Sequence, residues 1–250
     1  MSKKISEQVI KAKRRLGVSK RAFMLRAKAE ELGLSSKKYS LSEAVEVVKT
    51  LADDPAFKVK FDQTLDVVFK LGVDPRKDTV RGAVNAVHGL GKPVRVAVFC
   101  KGDHQKEASA AGADLVGGDD LVEQVQQGII NFDKAVATPD MMMTLGKVAK
   151  VLGPKGLMPN PKLGTVTTNV ADAVKAIKSG QITYKLEKAG LVHAAIGKTS
   201  FEVSKIVDNF KTLYDAILKA KPAGSKGTYV QKLYFTTTMG VAVEVDLTTV

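Results

Sequence analysis

The sequence is poor in residues that build disulfide or metal frameworks. Its single cysteine, Cys100, rules out an internal disulfide and argues against a cysteine-based metal cage. Cys100 ends an apolar run, so we expect a small buried residue rather than a nucleophile, in a chain compatible with a reducing compartment. His88, His104 and His193 fall in different predicted elements, and none has a second ligand at metal-site spacing. We therefore expect no bound metal.

Membrane and enzyme signatures are absent as well. No apolar run approaches the roughly 20 residues of a membrane span. Neither a Gly-x-Ser-x-Gly elbow nor a Gly-x-Gly-x-x-Gly loop occurs. Gly197-Lys198-Thr199 matches the end of a phosphate-binding loop, but Val192 occupies the position of that motif's first glycine. These absences favour a protein without membrane contact, cofactor or catalytic activity.

Positive charge is concentrated at the N-terminus. The chain has a formal net charge of +13, and residues 1–40 hold 12 Lys or Arg against 3 Glu, which gives +9. Clustered basic residues attract phosphates and release counterions. We therefore interpret residues 1–35 as a basic extension that contacts nucleic acid. An inert solvated arm and a targeting peptide are the alternatives, the second disfavoured by Glu7, Glu30 and Glu31.

The two ends of the chain share one pattern of helices and antiparallel strands. Apolar spacing predicts helices at about 5–16, 20–32 and 204–219, and a further helix that Ser40 or Ser42 can cap. Strands are predicted at 61–69, 79–87, 181–186, 191–197, 229–238 and 241–247, with a hairpin turn at 187–190. Because strands from the two ends most simply pair in one sheet, we expect an α+β domain built from both ends.

The middle of the chain has a different pattern. The run at 94–100 is apolar and β-branched, as in a central parallel strand, and short apolar strands recur near 115–116 and 135–137. Helices are predicted at about 104–111, 119–127, 139–152 and 169–178. Strands that alternate with helices indicate βαβ units, so we expect an inserted α/β domain with a Rossmann-like parallel sheet.

The chain is predicted to pass between the two domains at two points, which we call crossings. The α+β domain comprises residues 36–88 and 181–250, and the inserted domain comprises residues 89–180. Gly89, Gly91 and Gly180 stand at the crossings, where glycine permits dihedral angles that other residues avoid. We expect these glycines to act as a hinge.

One loop of the inserted domain has an unusual composition. Residues 153–162 hold three prolines, two glycines and two lysines. Prolines stiffen a loop, and lysines without neighbouring acids could face phosphates. A rigid connector between two elements explains the composition equally well.

The segment from Thr236 to Gly240 has chemistry that suits RNA. Proteins recognise RNA largely through shape, 2′-hydroxyl contacts and exposed bases. Threonine hydroxyls can bond to sugar or phosphate oxygens, Met239 offers a soft apolar face, and Gly240 lets a backbone approach closely. Threonines are also good strand formers, so composition alone leaves a structural role open.

Several motifs resemble the bacterial family of the first protein of the large ribosomal subunit, the protein of the mobile L-one stalk. The likeness covers about 39–245, and none of the motifs is of low complexity. In chain order they are KFDQT (60–64), LGVDPR (71–76), HGLGK (88–92), AGADLVGG (111–118), ATPD (137–140), LGPKGLMPNPK (152–162), GTY (227–229) and LYFTTTMG (233–240).

The resemblance implies a two-domain, non-enzymatic protein of the cytoplasmic ribosome, present there as a monomer. It implies that the terminal domain binds a ribosomal RNA three-way junction at the base of the stalk. It also implies a role in release of deacylated tRNA from the exit site, and repression of translation of the protein's own mRNA. The RNA contacts carried over by position are Phe61, Thr64, Lys70, Thr238, Met239 and Gly240.

Alternatives stay open for single residues and for the function. Lys60 and Lys198 are our own additions as phosphate neighbours, while Phe61 could be a core residue and Lys70 and Lys198 could be solvated. Lys232 stands where the family often has a small hydroxyl, Val241-Ala242 replace Pro-Ser, and the N-terminus is about 20 residues longer than usual. A nucleotide-dependent enzyme that uses residues 89–180, and a regulator that binds only messenger RNA, are the alternative classes.

Overall fold

The computed structural model divides into two compact units. It describes residues 19–34, 37–56, 58–102, 104–222, 224–225 and 227–249. One unit combines both chain ends, Met1–Thr79 and Leu186–Val250, and the other is Val80–Lys185. The helix predicted at 5–16 and most of the basic extension lie outside the described residues.

Nine strands and eight α-helices lie within the described residues. The strands are β1 (Thr64–Leu71), β2 (Arg81–Asn85), β3 (Val96–Phe99), β4 (Leu115–Gly117), β5 (Lys134–Ala137), β6 (Gln181–Lys185), β7 (Leu191–Lys198), β8 (Val230–Thr237) and β9 (Val243–Val245). The helices are α1 (Lys20–Glu31), α2 (Leu41–Asp53), α3 (His104–Ala110), α4 (Asp119–Gln126), α5 (Met142–Leu145), α6 (Ala149–Leu152), α7 (Val170–Lys178) and α8 (Val203–Lys219). Short 3₁₀ turns occur at Pro139–Met141, Gly146–Val148, Pro161–Leu163 and Leu247–Thr249.

The sheet of the first unit joins strands from the two chain ends. Its order is β7-β1-β8-β9, and all pairs are antiparallel. Alternate side chains of β1, including Leu65, Val67 and Phe69, are buried, while Thr64 and Lys70 belong to the opposite face. The structure therefore confirms the predicted α+β fold with one shared sheet.

Two helices cover the buried face of this sheet. Helix α2 contacts β8, β9 and α8, and α8 also contacts β7. The buried residues of α8, which include Ile206, Phe210, Leu213 and Ile217, recur at helical spacing. The Phe210 ring stacks on Phe69 with 6.0 Å between centroids and meets Phe235 edge-on at 5.2 Å. This aromatic group is the centre of the first unit's core.

Helices α1 and α2 form close to their predicted positions. Helix α1 covers the stretch predicted at 20–32. Helix α2 begins after Ser40, whose N–H donates to the Glu43 carboxylate at 3.2 Å. The hydrogen bonds with Ser40 lower the pKa of the Glu43 carboxyl. The cap is therefore Ser40 rather than Ser42.

The second unit has two sheets of its own. Parallel strands in the order β4-β3-β5 form one, and the antiparallel pair β2-β6 forms the other. Ala97 and Phe99 of β3 belong to one apolar cluster, whereas Val96 and Val98 belong to another. Both faces of the central strand are therefore covered, as predicted for an inserted α/β domain with a Rossmann-like parallel sheet. Among the described residues, no helix is long and apolar enough to cross a membrane.

The boundary between the units lies outside the predicted crossings, so that the strands β2 and β6 belong to the second unit rather than to the first. Strands β2 and β6 pair with each other, so both belong to the second unit. Gly89, Gly91 and Gly180 also lie inside this unit, with φ of 68°, 65° and 100°. A Cβ on Gly180 would lie 2.7 Å from the Gly89 Cα, so these two glycines pack closely. Their role as a hinge stays a prediction.

Three predicted elements differ from the structure. Strand β1 begins at Thr64 rather than at Phe61, because the preceding residues form a loop with other partners. The helix predicted at 139–152 is broken into α5, α6 and 3₁₀ turns. The turn at 187–190 forms, with the Gly190 N–H donating to the Glu187 carbonyl at 3.0 Å. The predicted hairpin forms only at its tip, where Leu186 and Val192 make one antiparallel bridge; beyond this bridge β6 pairs with β2 and β7 pairs with β1.

Candidate nucleic-acid interface

The C-terminal site residues lie in a β-turn that follows β8. The Gly240 N–H donates to the Thr237 carbonyl at 2.9 Å, which closes a turn with Thr238 and Met239 at its centre. Strand alternation places the Thr237 side chain in the buried layer, at 3% exposure, and leaves Thr238 exposed. Of the neighbouring threonines, Thr238 is therefore the one that a ligand can reach most readily.

Thr238 is clamped to the first residue of β1. Its N–H donates to the Thr64 carbonyl at 3.0 Å, and the Thr64 N–H donates to Thr238 Oγ1 at 3.1 Å. The Thr238 hydroxyl donates in turn to the Thr64 carbonyl at 3.3 Å. A hydroxyl oxygen has two acceptor lone pairs, so Thr238 Oγ1 keeps one position for a donor such as a 2′-hydroxyl.

The backbone of Met239 is held on both sides by distant residues. Its N–H donates to Gln63 Oε1 at 3.1 Å, and its carbonyl accepts from Arg21 Nη1 at 3.0 Å. Gln63 is buried at 2% exposure, whereas the Met239 side chain is 47% exposed. A fixed backbone that presents an apolar side chain loses little conformational freedom when that side chain contacts a base.

Gly240 is required by the turn itself. A Cβ at this position would lie 2.2 Å from Thr237 Oγ1, closer than atoms approach in real structures. Because the Thr237 side chain is buried, its hydroxyl has little room to rotate away. The absence of a side chain at Gly240 also lets a nucleic-acid backbone approach the turn.

The chain before β1 forms a second loop beside the turn. The Asp62 carboxylate accepts hydrogen bonds from Thr199 Oγ1 and Ser200 Oγ, both at 2.8 Å. Partial burial opposes ionisation of Asp62, but the hydrogen bonds from Ser200 and Thr199 and the charge of Lys198 outweigh it and lower its pKa. Phe61 is 53% exposed, so the alternative of a core role is wrong. Its ring is accessible for stacking on a base.

A β-bulge places Lys198 on the same face of the sheet as Thr64. The register of β1 against β7 shifts after Leu65, which leaves Ile196 as an extra residue. Lys198 Nζ donates to Thr64 Oγ1 at 3.0 Å and to the Asp62 carbonyl at 3.2 Å. An ammonium group has three donors, so one remains for a phosphate.

Lys70 lies away from this group of residues. It shares a face with Thr64 but follows it by six residues along β1, roughly 20 Å at the rise of a strand. Its Cα partner on β8 is Lys232, which forms an ion pair with Glu244 at 3.6 Å. A ligand that contacts both Thr64 and Lys70 must therefore extend along the sheet.

Three residues that hold the interface together carry no sequence signal of that role. Asp62 and Gln63 stand inside the motif at 60–64, and the motif alone gave no reason to assign them a role. Arg21 lies 218 positions before the residue it contacts, and no sequence pattern connects them. Their roles depend on hydrogen bonds between distant segments, which only the fold shows.

The loop at 153–162 in the second unit has an ordered hydrogen-bond pattern. The Asn160 side chain accepts from the Lys162 N–H at 2.9 Å, and the Asn160 N–H donates to Thr165 Oγ1 at 2.8 Å. Lys155 and Lys162 are exposed. The loop is thus a well-connected segment that also presents two cations, and both interpretations of it stay open.

Comparisons with known proteins agree on one family. The model of the ribosomal protein L1p/L10e family matches residues 48–241. Large ribosomal subunit protein uL1 of Rickettsia canadensis (strain McKiel) is 50% identical over 224 residues, which are 89% of this chain and 92% of that protein. The uL1 protein of Rickettsia bellii (strain OSU 85-389) is 51% identical over 218 residues, 86% of this chain and 89% of that protein. The family match contains every interface residue described above except Arg21.

Proposed function

The chain belongs to the ribosomal protein L1p/L10e family and is a structural, non-enzymatic component of the large ribosomal subunit, and from this premise we propose that it binds ribosomal RNA at the base of the L-one stalk. The proposed contact surface is the turn at Thr238–Gly240 with Phe61, Thr64 and Lys198. The observation that carries the proposal is that hydrogen bonds from Thr238 to Thr64 and from Met239 to Gln63 hold this turn in place. The turn thereby presents an acceptor hydroxyl and an apolar side chain, and the ring of Phe61 is exposed as well. As a ribosomal protein it functions on the cytoplasmic ribosome.

The charges around the turn favour recognition by shape over attraction by charge. Lys198 donates two hydrogen bonds within the protein. Asp62 stays ionised close to it, since its pKa is lowered despite partial burial. Each such carboxylate offsets part of the attraction between lysines and phosphates. Recognition at this turn should therefore depend mainly on the fit of hydroxyl, backbone and apolar contacts.

Two further partners follow from the family and are part of the proposal. The first is deacylated tRNA at the exit site, whose release the protein would assist; slower tRNA release from ribosomes that lack the protein would support this role. The second is a segment of the protein's own mRNA that imitates the stalk junction. The messenger segment and the ribosomal junction RNA would both bind the turn at 238–240. The messenger segment should therefore compete with the junction RNA in a binding assay.

Thr238→Val is expected to weaken binding to the stalk junction RNA by about 1–2 kcal/mol, or roughly 5- to 30-fold, the scale of one lost polar contact. Valine removes the hydroxyl that receives the Thr64 N–H and that would receive an RNA donor. The measurement is a gel-shift titration at two salt concentrations. Thr238→Ser keeps the hydroxyl and is the matched control. Equal affinities for the wild-type and valine proteins would refute the role assigned to Thr238.

The first unit alone should carry the affinity for the junction. Replacing residues 80–185 with a short Gly/Ser linker is expected to change the RNA dissociation constant by less than about threefold, because every residue of the proposed surface lies in the first unit. The cut at 80–185 also removes β2 and β6 together, whereas a cut at 89–180 leaves an isolated pair of strands that is marginally stable in water. A large loss of affinity in a variant with native circular dichroism would contradict the proposal.

A further inference from the structure

Lys134 is a partly buried lysine at the edge of the parallel sheet of the second unit. It is the first residue of β5, and Val136, which shares its side of the strand, belongs to the apolar cluster that includes residues of α7. The Lys134 ammonium donates a hydrogen bond to Thr183 Oγ1 of β6 at 3.1 Å. This bond joins the parallel sheet to the β2–β6 pair, so two elements fix the position of the charge.

The chain segment that leads into β3 is held against both of these elements. The Lys134 N–H donates to the Arg95 carbonyl at 3.2 Å. At the other end of the segment, Gly89 packs against Gly180, the residue before β6, so closely that a Cβ on Gly180 would lie 2.7 Å from the Gly89 Cα. Lys92 lies midway between these two contacts. The fold therefore holds Lys92 close to the Lys134 side chain.

The ammonium groups of Lys92 and Lys134 repel each other. Burial lowers the pKa of Lys134, and the charge of Lys92 lowers it further. Both effects disfavour the charged form, as expected of a cation that has left water without gaining an opposite charge. An anion bound between the two lysines would relieve this repulsion.

Asp133 does not neutralise this pair of lysines. Its carboxylate accepts hydrogen bonds from the Arg95 N–H at 3.2 Å and from Arg95 Nε at 3.4 Å. These bonds, and then the charges of Arg95 and Lys92, lower the pKa of Asp133. Within the residues that the structure describes, neither Lys92 nor Lys134 forms an ion pair. Three cations and one carboxylate leave the group with a net charge of +2.

The hydrogen-bond donors of this group suit a phosphate. An ammonium group has three N–H donors, and Thr183 takes one of those of Lys134. Because Thr183 Oγ1 accepts this bond, its hydroxyl hydrogen can donate to a ligand. Phosphate oxygens accept several hydrogen bonds at once, and lysine binds phosphate as a point charge.

We propose that Lys92, Lys134 and Thr183 form a phosphate-binding site in the second unit, separate from the turn proposed to bind the stalk junction. Arg81 and Lys185 share the side of the β2–β6 pair on which Thr183 lies, and neither strand contains an acid. A row of cations without acids suits a polyanion, so RNA backbone is the expected source of the phosphate, and free phosphate is the other source. The site gives the second unit a contact with RNA that is independent of sequence.

Inorganic phosphate tests the site without any RNA. In the full chain, labelled with ¹³C at lysine Cε, the Lys134 signal is identified by its absence in Lys134→Arg. Phosphate should shift this signal saturably and raise the pKa of Lys134 by about 1, the scale of an opposite charge at short distance. Lys101, which pairs with Asp119 at 3.0 Å, is the internal control and should not respond. Equal responses of the two lysines would show an effect of ionic strength alone and would overturn the inference.

A short single-stranded RNA of mixed sequence distinguishes the two sources of phosphate. If the site binds RNA backbone, this RNA should shift the Lys134 signal and displace inorganic phosphate. Lys134→Met should then lower the log–log salt slope of RNA binding by about 0.7, whereas Lys101→Met, which removes a paired cation, should leave the slope unchanged. If phosphate binds and RNA does not compete, the site takes free phosphate. If neither probe shifts the signal, the inference is wrong.

Thr183→Val tests the hydroxyl separately from the charge. Valine has nearly the same shape but neither holds the Lys134 ammonium nor donates to a ligand. Phosphate affinity should fall at least about threefold, the scale of one polar contact, while circular dichroism and thermal unfolding stay native. Unchanged phosphate affinity would contradict the proposed arrangement. None of these measurements uses the stalk junction, so their outcome is independent of the proposed function.

Discussion

Replacing Gly240 with alanine is expected to lower the affinity for the stalk junction RNA by at least about 100-fold, or roughly 2.7 kcal/mol. The new Cβ would stand 2.2 Å from Thr237 Oγ1, and the Thr237 side chain is buried, so its hydroxyl has little room to move away. The turn must then open, which displaces Thr238 and Met239 from their clamps on Thr64 and Gln63. The same methyl group also blocks the approach of the RNA backbone.

Two further variants make this expectation specific. Gly224→Ala introduces the same methyl group in the same unit, at a position with no heavy atom within 4 Å of the added Cβ, and should leave RNA affinity unchanged. Combining Gly240→Ala with Thr237→Ala removes the hydroxyl that the methyl group meets. This double variant should recover part of the lost affinity, because the two changes share one contact. Wild-type affinity in Gly240→Ala would show that the turn tolerates a side chain.

Phe210→Ala is expected to lower the free energy of unfolding of the first unit by about 3–5 kcal/mol, the range for removing a buried aromatic ring. Phe210 is fully buried and contacts the rings of Phe69, Tyr214 and Phe235. These contacts join β1, from the N-terminal part, to α8 and β8, from the C-terminal part. Chemical denaturation monitored by circular dichroism measures the loss, and RNA binding should fall with the folded fraction.

The second unit should respond little to this change. Its apolar clusters surround β3 and contain no residue of the first unit. Hydrogen exchange should therefore stay slow at Val98 and fast exchange should appear at Val67 in the Phe210→Ala protein. Phe99→Ala, which removes a buried ring that contacts Phe132 in the second unit, should give the opposite pattern. Equal loss of protection in both units after either substitution would show that they unfold as one.

The periodicity of apolar residues was sufficient to predict the architecture, because buried side chains repeat with the period of the strand or helix that contains them. The apolar run around Val98 has no polar face, and its strand lies in the middle of a covered parallel sheet. The aromatic and β-branched alternation around Phe69 likewise gave a strand with one buried face. Both patterns are local, so they are visible without knowledge of the fold.

The interface was only partly predictable because its parts depend on contacts between distant segments. The family motif identified Thr238, Met239 and Gly240, and the turn that holds them is local. The bonds of Met239 to Gln63 and Arg21 connect residues 176 and 218 positions apart. A period of two residues also fails at the bulge in β7, so alternation alone could not assign a face to Lys198.

The bulge at Ile196 makes the length of this segment as important as its composition. If one residue were inserted between Gly197 and Lys198 and the bulge were kept, the alternation of side chains would turn the Lys198 ammonium toward the buried layer under α8. Every amino acid of the interface would still be present, yet one of its cations would be on the wrong side of the sheet. An insertion at this point would therefore disturb the interface more than the substitution of a neighbouring residue, because it moves a cation to the other face of the sheet.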